Sequence, residues 1–207
     1  MRSKYVIGSG ALLDWAMAAW REVDPGLDLR PVRLDQDAAY VFDLSVLDNL
    51  VVDGATAFAA YDDQFLNFRR FELMAKLKER GFSMPALVCP GALVANTASL
   101  GENVMIGAGA IVGHDCQIGF NTVIGSGANI GSACRIGNSA WIEAGVVIGR
   151  AAKIGANATL GLGVIIGDAI EVGKFCVVDV AGKITKNIAA KTFLHASFDT
   201  SINIVEL

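Results

Sequence analysis

The sequence predicts a mainly β chain. A parallel β-helix over residues 88–189 follows a small Rossmann-like α/β domain over residues 1–87 and precedes a tail over residues 190–207. Three observations lead there. An aliphatic residue recurs every six positions from Val88 to Ile184, a glycine follows most of these, and the segment before them reads strand–helix–strand.

The six-residue period carries the most weight. Val88, Val94, Leu100, Ile106 and every sixth residue to Ile184 make seventeen positions, all Val, Leu or Ile. If such residues are roughly a quarter of a chain, chance gives this about once in 10¹⁰ registers. The next residue is Gly in twelve of the seventeen, from Gly101 to Gly173. The fifth position is small, as at Ala98, Ala110, Cys116, Thr122 and Cys134. One long α-helix repeats near 3.6 residues and cannot make this pattern. A short strand and a corner every six residues can, with the aliphatic residue inward and Gly permitting the corner. Three sides close a triangular coil of 18 residues, so the repeat makes nearly six coils, paired as parallel strands about 4.8 Å apart. Cys116, Cys134 and Cys176 then fill small inward sites, and Cys89 stands at the entrance, so all four cysteines read as reduced core thiols.

Before the repeat, Lys4–Gly8 reads as a strand, and Ser9-Gly10 leads into an amphipathic helix carrying Leu12, Trp15, Ala16, Ala19 and Trp20. Asp24-Pro25-Gly26 is a turn, Leu29–Leu34 a second strand, and Val41–Leu44 and Thr56–Ala60 further strand candidates. Asp62 and Asp63 cap a helix from Gln64 to Arg80, closed by Gly81. Gly8-Ser9-Gly10 lacks the third glycine of a dinucleotide fingerprint. It either makes the strand-to-helix turn alone or presents helix-start amides to a phosphate or sugar.

Composition narrows the function. Charged residues are 18 %, apolar residues 53 % and the net charge is −4, which favours neither nucleic acid nor an anionic membrane. No apolar run of about 18 residues and no signal-peptide pattern is present, so a cytoplasmic protein is expected. A three-sided prism is convex. A buried site therefore needs a second body, and threefold assembly suits three sides. Outward-facing His114 is one of only two histidines, the other being His195, outside the repeat. That is too few for a three-histidine zinc site, and no metal is expected.

The run Ile111–Gly119 (IVGHDCQIG) closely resembles the His-(Asp/Glu)-Cys-x-Ile-Gly signature of the hexapeptide-repeat sugar O-acyltransferases of the sialic acid O-acetyltransferase type. That group includes the bacterial N-acetyltransferases of nucleotide-linked amino sugars. The helix before Gly81-Phe82 and the entry Pro85–Val94 extend the likeness to about residues 4–190. The resemblance implies a left-handed β-helix, a homotrimer, acetyl-CoA as acyl donor, and an amino or hydroxy sugar, or its nucleotide-linked form, as acceptor. It makes His114 the general base, oriented by Asp115, with the Ser132 backbone N–H as oxyanion donor and Ala144 and Leu162 lining the donor. Lys174, Lys183 and Lys186 are the nearest cations for the donor's phosphates. Gly8, Ser9, Gly10, Asp35 and Arg70 match acceptor-binding positions. The chain departs from the family in lacking a histidine after Gly10, in carrying Val123 where some members have a second active-site histidine, and in its C-terminal sequence after Ala189. A non-catalytic trimeric scaffold is the alternative reading.

Overall fold

The computed structural model describes residues 3–35, 41–63, 66–180, 182–198 and 200–204. It is a parallel β-solenoid of about six turns with a small α/β unit packed on one side. The hexad aliphatics stack in a single core with the small fifth-position residues, among them Ile106, Val112, Ile130, Ile148, Ala128 and Cys134. From Leu87 to Ile184 each strand is two or three residues long, and successive coils pair in parallel at an offset of 18 residues, as Asn129–Ile130 does with Val147–Ile148. The corner glycines leave room for the next coil: a Cβ on Gly113 would lie 2.8 Å from the Ser132 nitrogen.

The three faces differ in what they point outward. The first, from Leu87–Val88 to Thr192–His195, carries Leu87, Met105, Val123 and Trp141, all buried under the N-terminal unit. The second, from Leu93–Val94 to Lys183–Ile184, is exposed and largely apolar, presenting Leu93, Ile111, Val147 and Ile165, with Asn129 and Lys183 as its polar positions. The third, from Ser99–Leu100 to Glu171–Val172, is polar, with Gln117, Arg135, Lys153 and Glu171 in one ladder. The tail does not leave the solenoid at once. Thr192–His195 adds a further parallel strand to the covered face, and Ile202–Asn203 pairs with it in antiparallel fashion.

The N-terminal unit has three parallel strands in the order β2-β1-β3: β1 (Ser3–Gly8), β2 (Asp28–Arg33) and β3 (Thr56–Ala60). Helix α1 (Ala11–Val23) buries Leu12, Leu13, Ala16 and Trp20 between this sheet and the covered face. Helix α2 (Phe68–Glu79) packs Leu73, Met74 and Leu77 on the sheet's other side with Phe82 and Met84. Val41–Leu44 is not a strand; it leads into a 3₁₀ turn, Ser45–Asn49, where Asp43 accepts the Ser45 N–H. Of the helix expected over 64–80, Gln64 and Phe65 lie outside the described residues. The helix itself begins at Phe68, after Asn67 in a left-handed conformation.

The cap expected on α2 belongs to α1. The Asp62 carboxylate accepts the Ala11 and Leu12 backbone N–H groups at 3.1 and 2.8 Å. A carboxylate there suits both the unpaired amides and the positive end of the helix dipole. The unit is held to the solenoid by a polar ladder along the edge between the polar and covered faces. Asn103 bonds both the N–H and the carbonyl of Ala59, and its amide continues to Asn121, whose own amide reaches Ser139. Asn103, Asn121, Ser139 and Asn157 all hold positive φ at these corners, a conformation Asn adopts more readily than most residues.

Candidate active site

His114 sits on the edge between the apolar and polar faces, in the corner joining Ile111–Val112 to Gln117–Ile118, and is exposed. Its Nδ1 lies 3.3 Å from the Thr97 hydroxyl of the preceding coil, and that same oxygen accepts the Asp115 N–H at 2.9 Å. Among the described residues no hydrogen bond joins the Asp115 carboxylate to the ring. Asp115 has a φ of 59° and makes the tight corner itself. Thr97 is a neighbour of His114 that the sequence did not reveal, because only closure of the coil brings it beside residue 114.

Directly above His114 stands Ser132, one coil on. Its carbonyl accepts from Ala151, whereas its N–H has no acceptor among the described residues. Gly113 keeps that amide open. The same edge continues through Arg150, Asp168 and Lys186. Arg150 is two coils, or about 10 Å, from His114. It is paired with Asp168 at 3.2 Å, on the surface, and such a pair adds little stability. Arg150 is a cation on the His114 edge that sequence reasoning passed over.

The other expected residues divide among separate places. Ala144 and Leu162 lie on the edge between the covered and apolar faces, in the corners before Val147–Ile148 and Ile165–Ile166, and Leu162 is 71 % exposed. Within one chain they stand at the opposite margin of the apolar face from His114. Of the three lysines only Lys186 shares the His114 edge. Lys183 begins the last strand of the apolar face, and Lys174 stands on the edge bearing the asparagine ladder. Val123, at the position where some members of the resembled family have a second histidine, is buried under the N-terminal unit rather than on the His114 edge.

The acceptor residues expected at the N-terminal unit have particular surroundings. The amides following Gly10 are taken by Asp62, so an internal carboxylate holds the place where a phosphate was considered. Gly10 is needed for that contact: its φ is +79°, and a Cβ would lie 2.2 Å from the Asp62 carboxylate. Gly8 likewise meets the Ala60 carbonyl. Ser9 donates its N–H to Ala60, and Asp35 is exposed just beyond β2. Arg70, expected among the acceptor-binding residues, is fully buried. Its guanidinium bonds the carbonyls of Asn121 and Tyr61 and lies over the Trp141 ring. Burial pulls its pKa down, while the charges of Asp63 and Asp62 oppose that shift.

The cysteines are free and buried. Cys116 and Cys134 each donate a thiol hydrogen bond to the corner glycine carbonyl of the next coil, at Gly131 and Gly149. Burial raises both pKa values, that of Cys134 to about 11, so neither is a ready thiolate.

The bacterial transferase hexapeptide (six repeats) family model matches residues 97–132, the stretch from Thr97 through His114 to Ser132. No curated protein matches the chain in sequence. Solved structures do match in fold. PerB from Caulobacter crescentus, in complex with CoA and GDP-perosamine, superposes with a TM-score of 0.83 over 92 % of each chain at 24 % identity. A histidine-to-alanine mutant of GDP-perosamine N-acetyltransferase from the same organism, also with CoA and GDP-perosamine, gives 0.83 at 21 % identity, covering 99 % of this chain and 97 % of that one. The acetyltransferase domain of PglB from Neisseria gonorrhoeae, in complex with acetyl coenzyme A, gives 0.65 at 19 % identity, covering 98 % and 99 %. The chain therefore shares the fold of these acetyltransferases.

Proposed function

We propose that the protein is a cytoplasmic, homotrimeric acetyltransferase that moves an acetyl group from acetyl-CoA to an amino or hydroxy sugar, carried on a nucleotide. On this reading the solenoid is left-handed and the N-terminal unit is a Rossmann-like acceptor domain. The observation that carries it is the pairing on one edge of exposed His114 with the Ser132 N–H one coil above, which has no acceptor among the described residues, in a fold shared with a sugar N-acetyltransferase.

The chemistry follows from that pairing. The acceptor nitrogen or oxygen attacks the thioester carbon, forming the new C–N or C–O bond as the C–S bond breaks. His114 Nε2 takes the acceptor's proton as it attacks, the general-base role that a ring nitrogen with a free lone pair can fill. The proton then passes to the departing thiolate. The Ser132 N–H donates to the thioester oxygen as negative charge gathers on it. No covalent enzyme intermediate is required, and inward Cys116 is not used.

Threefold assembly completes the site. Four exposed aliphatic side chains on one face ask for a cover. If this face turns toward a threefold axis, the two margins of each apolar face meet the opposite margins of its neighbours. The edge of His114 and Ser132 then lies beside the Ala144 and Leu162 edge of the next chain, giving three equivalent clefts. The donor runs along this cleft toward Arg150 and Lys186. The acceptor comes from the N-terminal side, where Ser9, Gly10 and Asp35 stand, with Gly8 and Arg70 shaping the unit behind them.

Thiol release from acetyl-CoA, measured across a panel of nucleotide-linked amino sugars, tests this. One acceptor should support turnover, and His114→Ala should lower it about 10²–10⁴-fold with the fold intact. Unchanged turnover in His114→Ala would remove the histidine from the mechanism.

A further inference from the structure

We propose that Thr97 is the positioning residue for His114, holding the ring as the Nδ1–H tautomer so that Nε2 faces the reactants as a free base. This rests on the acyl-transfer reading above. The resemblance would give that task to Asp115, but the geometry points elsewhere. The ring nitrogen nearest any side-chain partner is Nδ1, 3.3 Å from the Thr97 oxygen, and the same oxygen already accepts the Asp115 N–H at 2.9 Å.

A threonine oxygen has two acceptor sites and one proton. With one site filled by the Asp115 N–H, the oxygen either donates its own proton to Nδ1 or receives Nδ1–H on its second site; in the proposed arrangement it is the second, and both donors converge on one oxygen. Nε2 makes no hydrogen bond among the described residues, so it is the nitrogen left for an incoming proton. One hydroxyl thereby fixes both the corner at Asp115 and the tautomer of the base beside it. Because Thr97 lies one coil earlier, the contact exists only once the coils are stacked. Which nitrogen carries the proton sets whether the ring can accept one from the acceptor, so a change of tautomer acts on the chemical step and not on binding.

The chain has two histidines, so ¹⁵N-histidine labelling with His195→Gln for assignment isolates the His114 ring. In the parent protein the neutral His114 ring should be mainly Nδ1–H. Thr97→Val, which keeps the shape and removes the hydroxyl, should move it toward Nε2–H, and Thr97→Ser should restore it. Asp115→Asn should leave the tautomer as in the parent. In turnover, Thr97→Val should lower kcat about 10–100-fold with KM for both substrates held, and Thr97→Ser should recover most of it. An Nε2–H ring in the parent protein, or a Thr97→Val ring that keeps the parent tautomer, overturns the proposal. So does a shifted tautomer with unchanged kcat. The tautomer is read without any substrate, so failure to find acetyl transfer would count against the proposed activity and leave the Thr97–His114 contact separately decided.

Discussion

The Arg70 guanidinium on α2 gives two hydrogen bonds to one carbonyl oxygen, that of Asn121 in the solenoid, at 3.2 and 3.0 Å. A third, to Tyr61 O at 3.1 Å, ties the end of β3 into the same knot. The N-terminal unit is thus docked through a buried cation that bonds two backbone carbonyls and, at 3.4 Å, the Asn67 side chain. Arg70→Met should leave two buried carbonyls without donors and destabilise the protein by about 2–4 kcal/mol, a fall in Tm of about 5–10 °C. Arg70→Lys should not rescue it, because a single ammonium cannot span both carbonyls as the planar fork does. Thermal unfolding followed by circular dichroism checks this; an unchanged Tm in Arg70→Met would mean that the two parts are held by other contacts.

Lys4 should make stability depend on pH. Its ammonium is buried over the Trp20 ring, 3.9 Å from the centroid, and has no hydrogen-bond partner among the described residues. Burial lowers its pKa from 10.5 to about 8. A folded pKa below the unfolded one means that the charged form opposes folding. The penalty is present in full below about pH 8 and is relieved as pH rises toward 10.5. Urea unfolding should show stability increasing over that window. Lys4→Met should raise stability at pH 7 by about 2 kcal/mol and remove this rise. A destabilised Lys4→Met chain would show that the cation–ring contact outweighs the desolvation.

The apolar face should be the assembly surface. Val147→Glu combined with Ile165→Glu places charges on two exposed side chains of that face without touching the solenoid core. Light scattering should then give the mass of a single 21.7 kDa chain with the β signal retained in circular dichroism. A double variant that still weighs three chains would move the interface to another face.

The solenoid was legible because its cause is local and repeated. Each hexad sets its own strand and corner, and seventeen of them report the same register. Three residues show where legibility ended. Asp62 caps α1 from 50 residues away rather than the helix that follows it, since sequence spacing points only to the nearest helix. Arg70 reads as an acceptor-binding residue on a helix, and only the packed fold shows Trp141 and Asn121 closing over it. His114 was found through its motif, but Thr97 was not, because an 18-residue coil brings into contact residues that no short motif joins. Ala144 and Leu162, expected to line the donor, stand within one chain across the width of a face from His114.

That separation makes subunit mixing the most direct measurement. His114→Ala and Leu162→Arg should each be inactive alone, the second because a bulky cation would fill the donor side of the cleft. If each cleft takes His114 from one chain and Leu162 from the next, every mixed trimer holds one intact cleft. Refolding the two variants together in equal amounts should then restore about a quarter of the parent activity. No recovery on mixing, with trimers confirmed, or full activity in Leu162→Arg alone, would contradict a site shared between chains.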